Sequence, residues 1–117
     1  MNQPQYRRLR IILLAYAHRY LYPILIPLIA FSAPDKTTAL LYMGMGLLLF
    51  AIYSFAGYKL RWKHIFCSYQ NANHQKMTPD CINWNTVKKS DAYGVPAIFA
   101  ILGIAVIFCY ICYIFYT

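Results

Sequence analysis

The sequence has 117 residues, of which 61% are hydrophobic and only 12% are charged. A soluble domain of this size leaves much of its surface in water, and it needs more charge than this to cover that surface. The composition therefore excludes an ordinary soluble enzyme, a disordered tail and a disulfide-rich secreted module. We interpret residues 1–117 as a single domain that belongs in a membrane.

The charge is strongly unbalanced, because eleven Lys and Arg residues against three acidic residues give a formal net charge of +8. In a soluble chain this excess would favour nucleic-acid binding. Here the basic residues cluster beside long apolar runs, where positive charge sets the topology and contacts anionic headgroups. We therefore expect contact with membrane lipid and no nucleic-acid partner.

Three apolar stretches follow one another along the chain, at about residues 9–33, 37–58 and 92–115. A helix needs about 20 residues to cross the hydrocarbon core, whereas barrel strands of about 10 residues would alternate in polarity. No such alternation occurs in the sequence. The predicted fold class is therefore all-α, with three transmembrane helices and a polar loop over residues 59–91.

The first stretch is interrupted by His18 and Arg19. The long side chain of Arg19 can extend to the nearer membrane surface, so it need not be a buried charge. Pro23 and Pro27 each remove an amide donor and are expected to bend the outer half of this helix. The apolar run over residues 11–14 is too short for a signal peptide, so we expect a span that is not cleaved.

The basic residues also predict the orientation. If the N-terminus is inside, every Lys and Arg except Lys36 lies on the inner side. The positive-inside rule therefore predicts an N-in, C-out protein of a cytoplasmic or plasma membrane. The residues expected to contact lipid headgroups at the inner surface are Arg7, Arg8, Arg10, Lys59, Arg61, Trp62, Lys63, Lys88 and Lys89.

The loop over residues 59–91 is the one segment polar enough to lie in water. Its start is expected to extend the second helix to residue 66, and its amide-rich residues 68–75 are expected to form an irregular connection. The Thr-Pro-Asp sequence at residues 78–80 is typical of a helix start. A short interfacial helix is therefore predicted over residues 79–89.

The length of this loop favours a role beyond connection, because a tight turn suffices to join two helices. Long loops commonly carry binding surfaces, although this one could also serve only to connect the spans and hold its lysines inside. The residues that we predict to contact a partner are Tyr69, Asn71, Asn73, His74, Trp84 and Asn85.

Small residues in the second and third stretches are expected to let helices approach closely. They include Gly44 and Gly57 in the second stretch and Gly103 in the third. The sequence leaves open whether these contacts lie within one chain or between subunits.

Two groups of side chains contain atoms that could bind a metal or carry out redox chemistry, but their spacing or position does not fit such a site. The first group is His64, Cys67, His74 and Cys81, and the second is Cys109 and Cys112. Spacings of three, seven and seven residues in the first group do not fit zinc. The second group is formally C-x-x-C, but it lies inside an apolar stretch that disfavours the thiolate. We predict no catalytic residue, metal, cofactor or small-molecule substrate.

The sequence therefore favours a non-catalytic integral membrane protein that acts through protein–protein contacts. It would be an accessory subunit or a protective or regulatory protein, with another membrane protein or a second copy of itself as partner. One alternative is a small homo-oligomeric transporter or channel, and another is a metal-dependent membrane enzyme built on the first of the two groups above. The pore of the transporter or channel would be lined by Tyr16, His18, Arg19 and Tyr20.

Overall fold

The computed structural model describes residues 2–116, and within them every regular element is helical. In chain order these elements are α1 (Gln3–Tyr16), a π-helical turn (Ala17–Leu21), α2 (Tyr22–Phe31), α3 (Lys36–Lys59), α4 (Lys63–Ala72), a 3-10 turn (Trp84–Thr86) and α5 (Lys89–Tyr116).

Three helical segments are long and apolar enough to cross a membrane, namely Gln3–Phe31, Lys36–Lys59 and Lys89–Tyr116. The prediction of an all-α protein with three spans is therefore confirmed. Large apolar side chains such as Ile101 and Phe108, each 66% exposed, cover the outside of the bundle. That surface suits lipid, because hydrocarbon tails rather than water surround the middle of a membrane-spanning helix.

Glycines allow α3 and α5 to pack closely against each other. A Cβ atom on Gly103 would lie 2.8 Å from Cγ of Leu48 and 3.1 Å from the carbonyl oxygen of Gly44. A Cβ atom on Gly44 would lie 2.5 Å from Cγ1 of Ile107. The small-residue prediction is therefore confirmed at these two glycines, and their contact lies within one chain.

The first spanning segment changes its winding in the middle. The N–H group of Tyr22 donates to the carbonyl oxygen of Ala17, five residues back, which is the bond of a π-helical turn. Pro23 follows this turn, and in a straight α-helix its ring would clash with the carbonyl of Arg19. The irregularity therefore lies before Pro23, while Pro27 is accommodated inside α2.

The second spanning helix ends sooner than predicted. Arg61 adopts a left-handed conformation with φ of 61°, and the N–H of Trp62 donates to the carbonyl oxygen of Gly57 at 2.9 Å. The chain therefore reverses after Lys59, and the expected continuation of this helix to residue 66 is wrong.

The predicted positions of helix and loop in the next segment are also wrong. Residues 63–72 are helical, and Ser68 and Gln70 within this helix form internal hydrogen bonds that the sequence does not reveal. The expected helix over residues 79–89 is absent from the described chain, which has there only the 3-10 turn before α5 begins. Thr78, its expected cap, is instead bonded twice to the amide side chain of Gln70, at 2.9 Å each time.

Candidate functional site

A buried histidine joins three helical segments. His18 is only 3% exposed; its Nε2 atom lies 2.7 Å from Oγ of Ser54, and its Nδ1 atom lies 2.7 Å from Oγ of Ser68. A neutral imidazole donates through one nitrogen and accepts through the other, and a serine hydroxyl can complement either role. The ring also stacks on Phe50, with centroids 5.0 Å apart. We call this arrangement the histidine clamp.

The clamp lies near one end of the spans rather than in their middle. Ser54 precedes the last residue of α3 by five positions, which corresponds to about 7.5 Å along the axis. From His18 to Gln3 the first segment continues for about 22 Å. Helix α1 therefore projects past the end of α3, where it packs against α4. We call the part of the fold formed by α1, α4 and residues 73–88 the polar end.

A second hydrogen bond ties α4 to α3 beside the clamp. The hydroxyl of Tyr53 lies 2.6 Å from Nε2 of His64, and the ring of Trp62 stacks on the same imidazole. Burial lowers the pKa of His64 and so favours its neutral ring, in which Nε2 either accepts from or donates to the tyrosine hydroxyl according to the tautomer.

Most of the residues predicted to contact a partner instead hold the polar end together. Tyr69 is only 3% exposed, and its hydroxyl has no hydrogen-bond partner within residues 2–116. Burial, and secondarily the charge of Asp91, raises the pKa of Tyr69 to about 12. Trp84 packs edge-on against Phe66 and Tyr58, with ring centroids 5.3 and 5.8 Å away.

Two predicted asparagines also have internal partners. The side-chain amide of Asn73 donates to Asp91 at 3.3 Å, and that of Asn71 donates to the hydroxyl of Tyr20 at 3.1 Å. Only His74 and Asn85 of the predicted partner contacts are exposed. The predicted binding loop is therefore a folded segment, and the prediction that it contacts a partner stays a prediction.

The predicted pore residues differ in their exposure. Tyr16, Arg19 and Tyr20 are exposed on the first segment, and the two tyrosine rings stack at 6.2 Å. His18 points the other way, into the clamp. It is only 3% exposed and is enclosed by its own chain.

A small cavity of about 190 Å³ adjoins the clamp. His18, Arg19 and Ser68 form part of its wall, and the rings of Phe50 and Phe99 close it from α3 and α5. Both nitrogens of the histidine are already bonded to serines, so the cavity leaves the ring no free position for a ligand.

A larger cleft of about 880 Å³ lies at the polar end, between α1 and the chain that follows α3. We call it the basic cleft, because it is lined by Arg7, Arg8, Arg10 and Lys63. Asp80 is the one acidic residue on its described walls, and its Oδ2 atom lies 3.9 Å from Nε of Arg8.

The other predicted headgroup residues lie at the same end but outside this cleft. Lys59 donates to the hydroxyl of Tyr93 at 2.8 Å, and the guanidinium of Arg61 stands 5.2 Å from the ring of Trp84. Trp62 is half-buried, whereas the remaining pair, Lys88 and Lys89, is exposed.

The residues weighed for zinc are not gathered together. Among residues 2–116 no group of three or more His, Cys, Asp or Glu side chains could hold a metal ion. Cys67 is buried, and burial raises its pKa to about 11, with a smaller contribution from the charge of Asp80. Cys81 is exposed, and His64 is bonded to Tyr53.

The fold is that of a multi-pass membrane protein with a folded polar end. The chain matches no family model, no curated protein and no solved structure. Its function is therefore inferred from the contacts of its own residues.

Proposed function

We propose that this is a non-catalytic integral membrane protein that acts by contact with another membrane protein, as an accessory subunit or as a protective or regulatory protein. The observation that carries this proposal is the ordered structure of residues 60–88. A chain that only joined two helices would need a few residues, whereas this one is held by the clamp and by the bonds of Gln70 and Asn73. A surface of fixed shape loses little conformational entropy when a partner binds.

The partner would contact the exposed side chains of this segment rather than its buried ones. Exposed polar residues occur before the 3-10 turn and within it, and none of them forms part of the core. They are His74, Gln75, Lys76, Asn83 and Asn85. In the N-in orientation that the basic residues favour, these side chains lie in the cytoplasm.

Co-purification from gently solubilised membranes tests the proposal. The triple variant His74→Ala, Gln75→Ala and Asn85→Ala removes exposed groups only, so it should keep the fold and lose the bound membrane protein. A matched control removes three exposed side chains from α5, namely Ile101, Ile104 and Phe108. Loss of the same protein from both variants, or from neither, would contradict a specific contact at the polar end.

The second candidate is a small oligomeric channel, which the exposed group of Tyr16, Arg19 and Tyr20 favours. An arginine in a lumen would select anions. Anion flux into liposomes that is abolished by Arg19→Ala, with the oligomer intact, would support it. An oligomer of verified size that carries no flux would exclude it, and His18 would serve in either case as part of the clamp.

A further inference from the structure

The basic cleft brings four cations together with little to balance them. It is lined by Arg7, Arg8 and Arg10 from α1 and by Lys63 at the start of α4, and all four are exposed. The pair of Arg8 with Asp80 is long and open to solvent, and such pairs contribute little stability. The cleft therefore keeps a net positive charge.

The charges of α1 run against the preferences of an isolated helix. Arg7 and Arg10 are three positions apart and so lie on one face, where like charges repel each other. The first turns of a helix carry partial positive charge and favour acidic side chains, yet no Asp or Glu precedes Asp35 in the sequence. An anion held in the cleft would relieve both kinds of repulsion.

The cleft also has an apolar wall close to the spans. Ile11 and Leu14 follow the arginines along α1, and Ile82 adds to this wall from the opposite side. Leu14 precedes His18 by about 6 Å along the axis, and His18 is bonded to Ser54 within α3. The cleft therefore opens beside the ends of the spans, where lipid headgroups meet acyl chains.

We infer that the basic cleft binds the phosphate headgroup of an anionic phospholipid. The guanidinium groups of Arg7 and Arg10 donate charge-assisted hydrogen bonds to phosphate oxygens, and Lys63 adds a further positive charge. Ile11 and Leu14 contact the first carbons of the acyl chains. Phosphatidic acid fits this cleft better than phosphatidylcholine, because no choline balances the charge of its phosphate. The inference stands independently of any protein partner.

The full chain in nanodiscs of equimolar phosphatidylcholine and phosphatidic acid provides the test. Native mass spectrometry of the released protein counts the lipids that it retains, and phosphatidic acid should predominate. The double variant Arg7→Gln and Arg10→Gln should lower this retention about tenfold or more, as expected for the loss of charge-assisted hydrogen bonds. The double variant Lys88→Gln and Lys89→Gln removes the same charge outside the cleft and should retain the lipid.

A variant that should bind more lipid provides a further test, because misfolding would lower the retention of phosphatidic acid and could not raise it. Asp80→Asn removes the acidic residue of the cleft and should raise the retention of phosphatidic acid. Equal loss in both double variants would assign the effect to general surface charge and overturn the inference. Retention without preference for phosphatidic acid would overturn it too, as would displacement of the lipid by free glycerol 3-phosphate.

Discussion

The imidazole of His18 and the hydroxyl of Ser68 lie 2.7 Å apart, although fifty positions separate the two residues in the chain. Together with Ser54 on the other ring nitrogen, they fix the first spanning segment to α3 and α4. All three side chains are almost completely buried, so water cannot replace a lost partner. The clamp therefore helps to fix the position of the polar end, together with the hydrogen bond between Tyr53 and His64.

Removal of either clamp serine should destabilise the protein. Ser54→Ala and Ser68→Ala each leave one ring nitrogen of His18 without a partner, and each should lower the free energy of unfolding by about 1–2 kcal/mol. Titration of the purified protein with denaturing detergent in mixed micelles measures this change. Ser90→Ala, at an exposed position of α5, is the control and should have little effect. An equal loss of unfolding free energy in all three variants would show that the clamp hydrogen bonds do not contribute specifically to stability.

Two glycines of α5 should respond to the same substitution with opposite sign. Gly103→Ala places a methyl group 2.8 Å from Leu48, and the overpacking should lower the stability by about 1–3 kcal/mol. Gly94 has no neighbouring atom within 4 Å of the added carbon, so Gly94→Ala should gain about 0.5–1 kcal/mol of helix propensity. The same unfolding titration compares them, and a similar response of the two variants would refute close packing of α3 on α5.

The cysteines of the polar end should differ in reactivity. Cys81 is exposed, whereas Cys67 is buried and its pKa of about 11 leaves it roughly a hundredfold less thiolate than an ordinary cysteine. In chains that keep only one of the two, with Cys109 and Cys112 also replaced by alanine, a maleimide should label Cys81 quickly and Cys67 only after unfolding. Rapid labelling of native Cys67 would show that α4 is not packed as described.

The same single-cysteine chain tests the orientation. If the N-terminus is inside, a membrane-impermeant maleimide should label Cys81 in inverted membrane vesicles and leave it unlabelled in right-side-out vesicles. Labelling only in right-side-out vesicles would place the polar end outside and reverse the assignment that the basic residues favour.

Stability should fall in acid partly through His64. Because burial lowers its pKa below the ordinary value of 6.5, the unfolded chain binds more protons than the folded one at acidic pH. The contribution of this group is complete above pH 6.5 and is lost as the pH falls through the lowered pKa. His64→Asn should flatten the acid side of a plot of unfolding midpoint against pH. His74→Asn, at an exposed site, is the control, and an equal flattening in both variants would contradict a specific role of His64.

The spans were predictable from the sequence because apolar length alone defines them. The structure of the polar end was not predictable, because α4 is held by hydrogen-bond partners that lie far from it in the sequence. Ser68 and Gln70 look like loop residues until His18 and Thr78 are seen to complete their hydrogen bonds. The sequence singled out His18 as unusual but gave no indication that it turns inward, since nothing local marks Ser54 as its acceptor or donor.

The histidine clamp also imposes an order on biogenesis. A ribosome releases the chain from its N-terminus, so His18 emerges before either of the serines that will complete its hydrogen bonds. The imidazole of the first segment can therefore form its two hydrogen bonds only after α3 and α4 have both been synthesised and have packed against it.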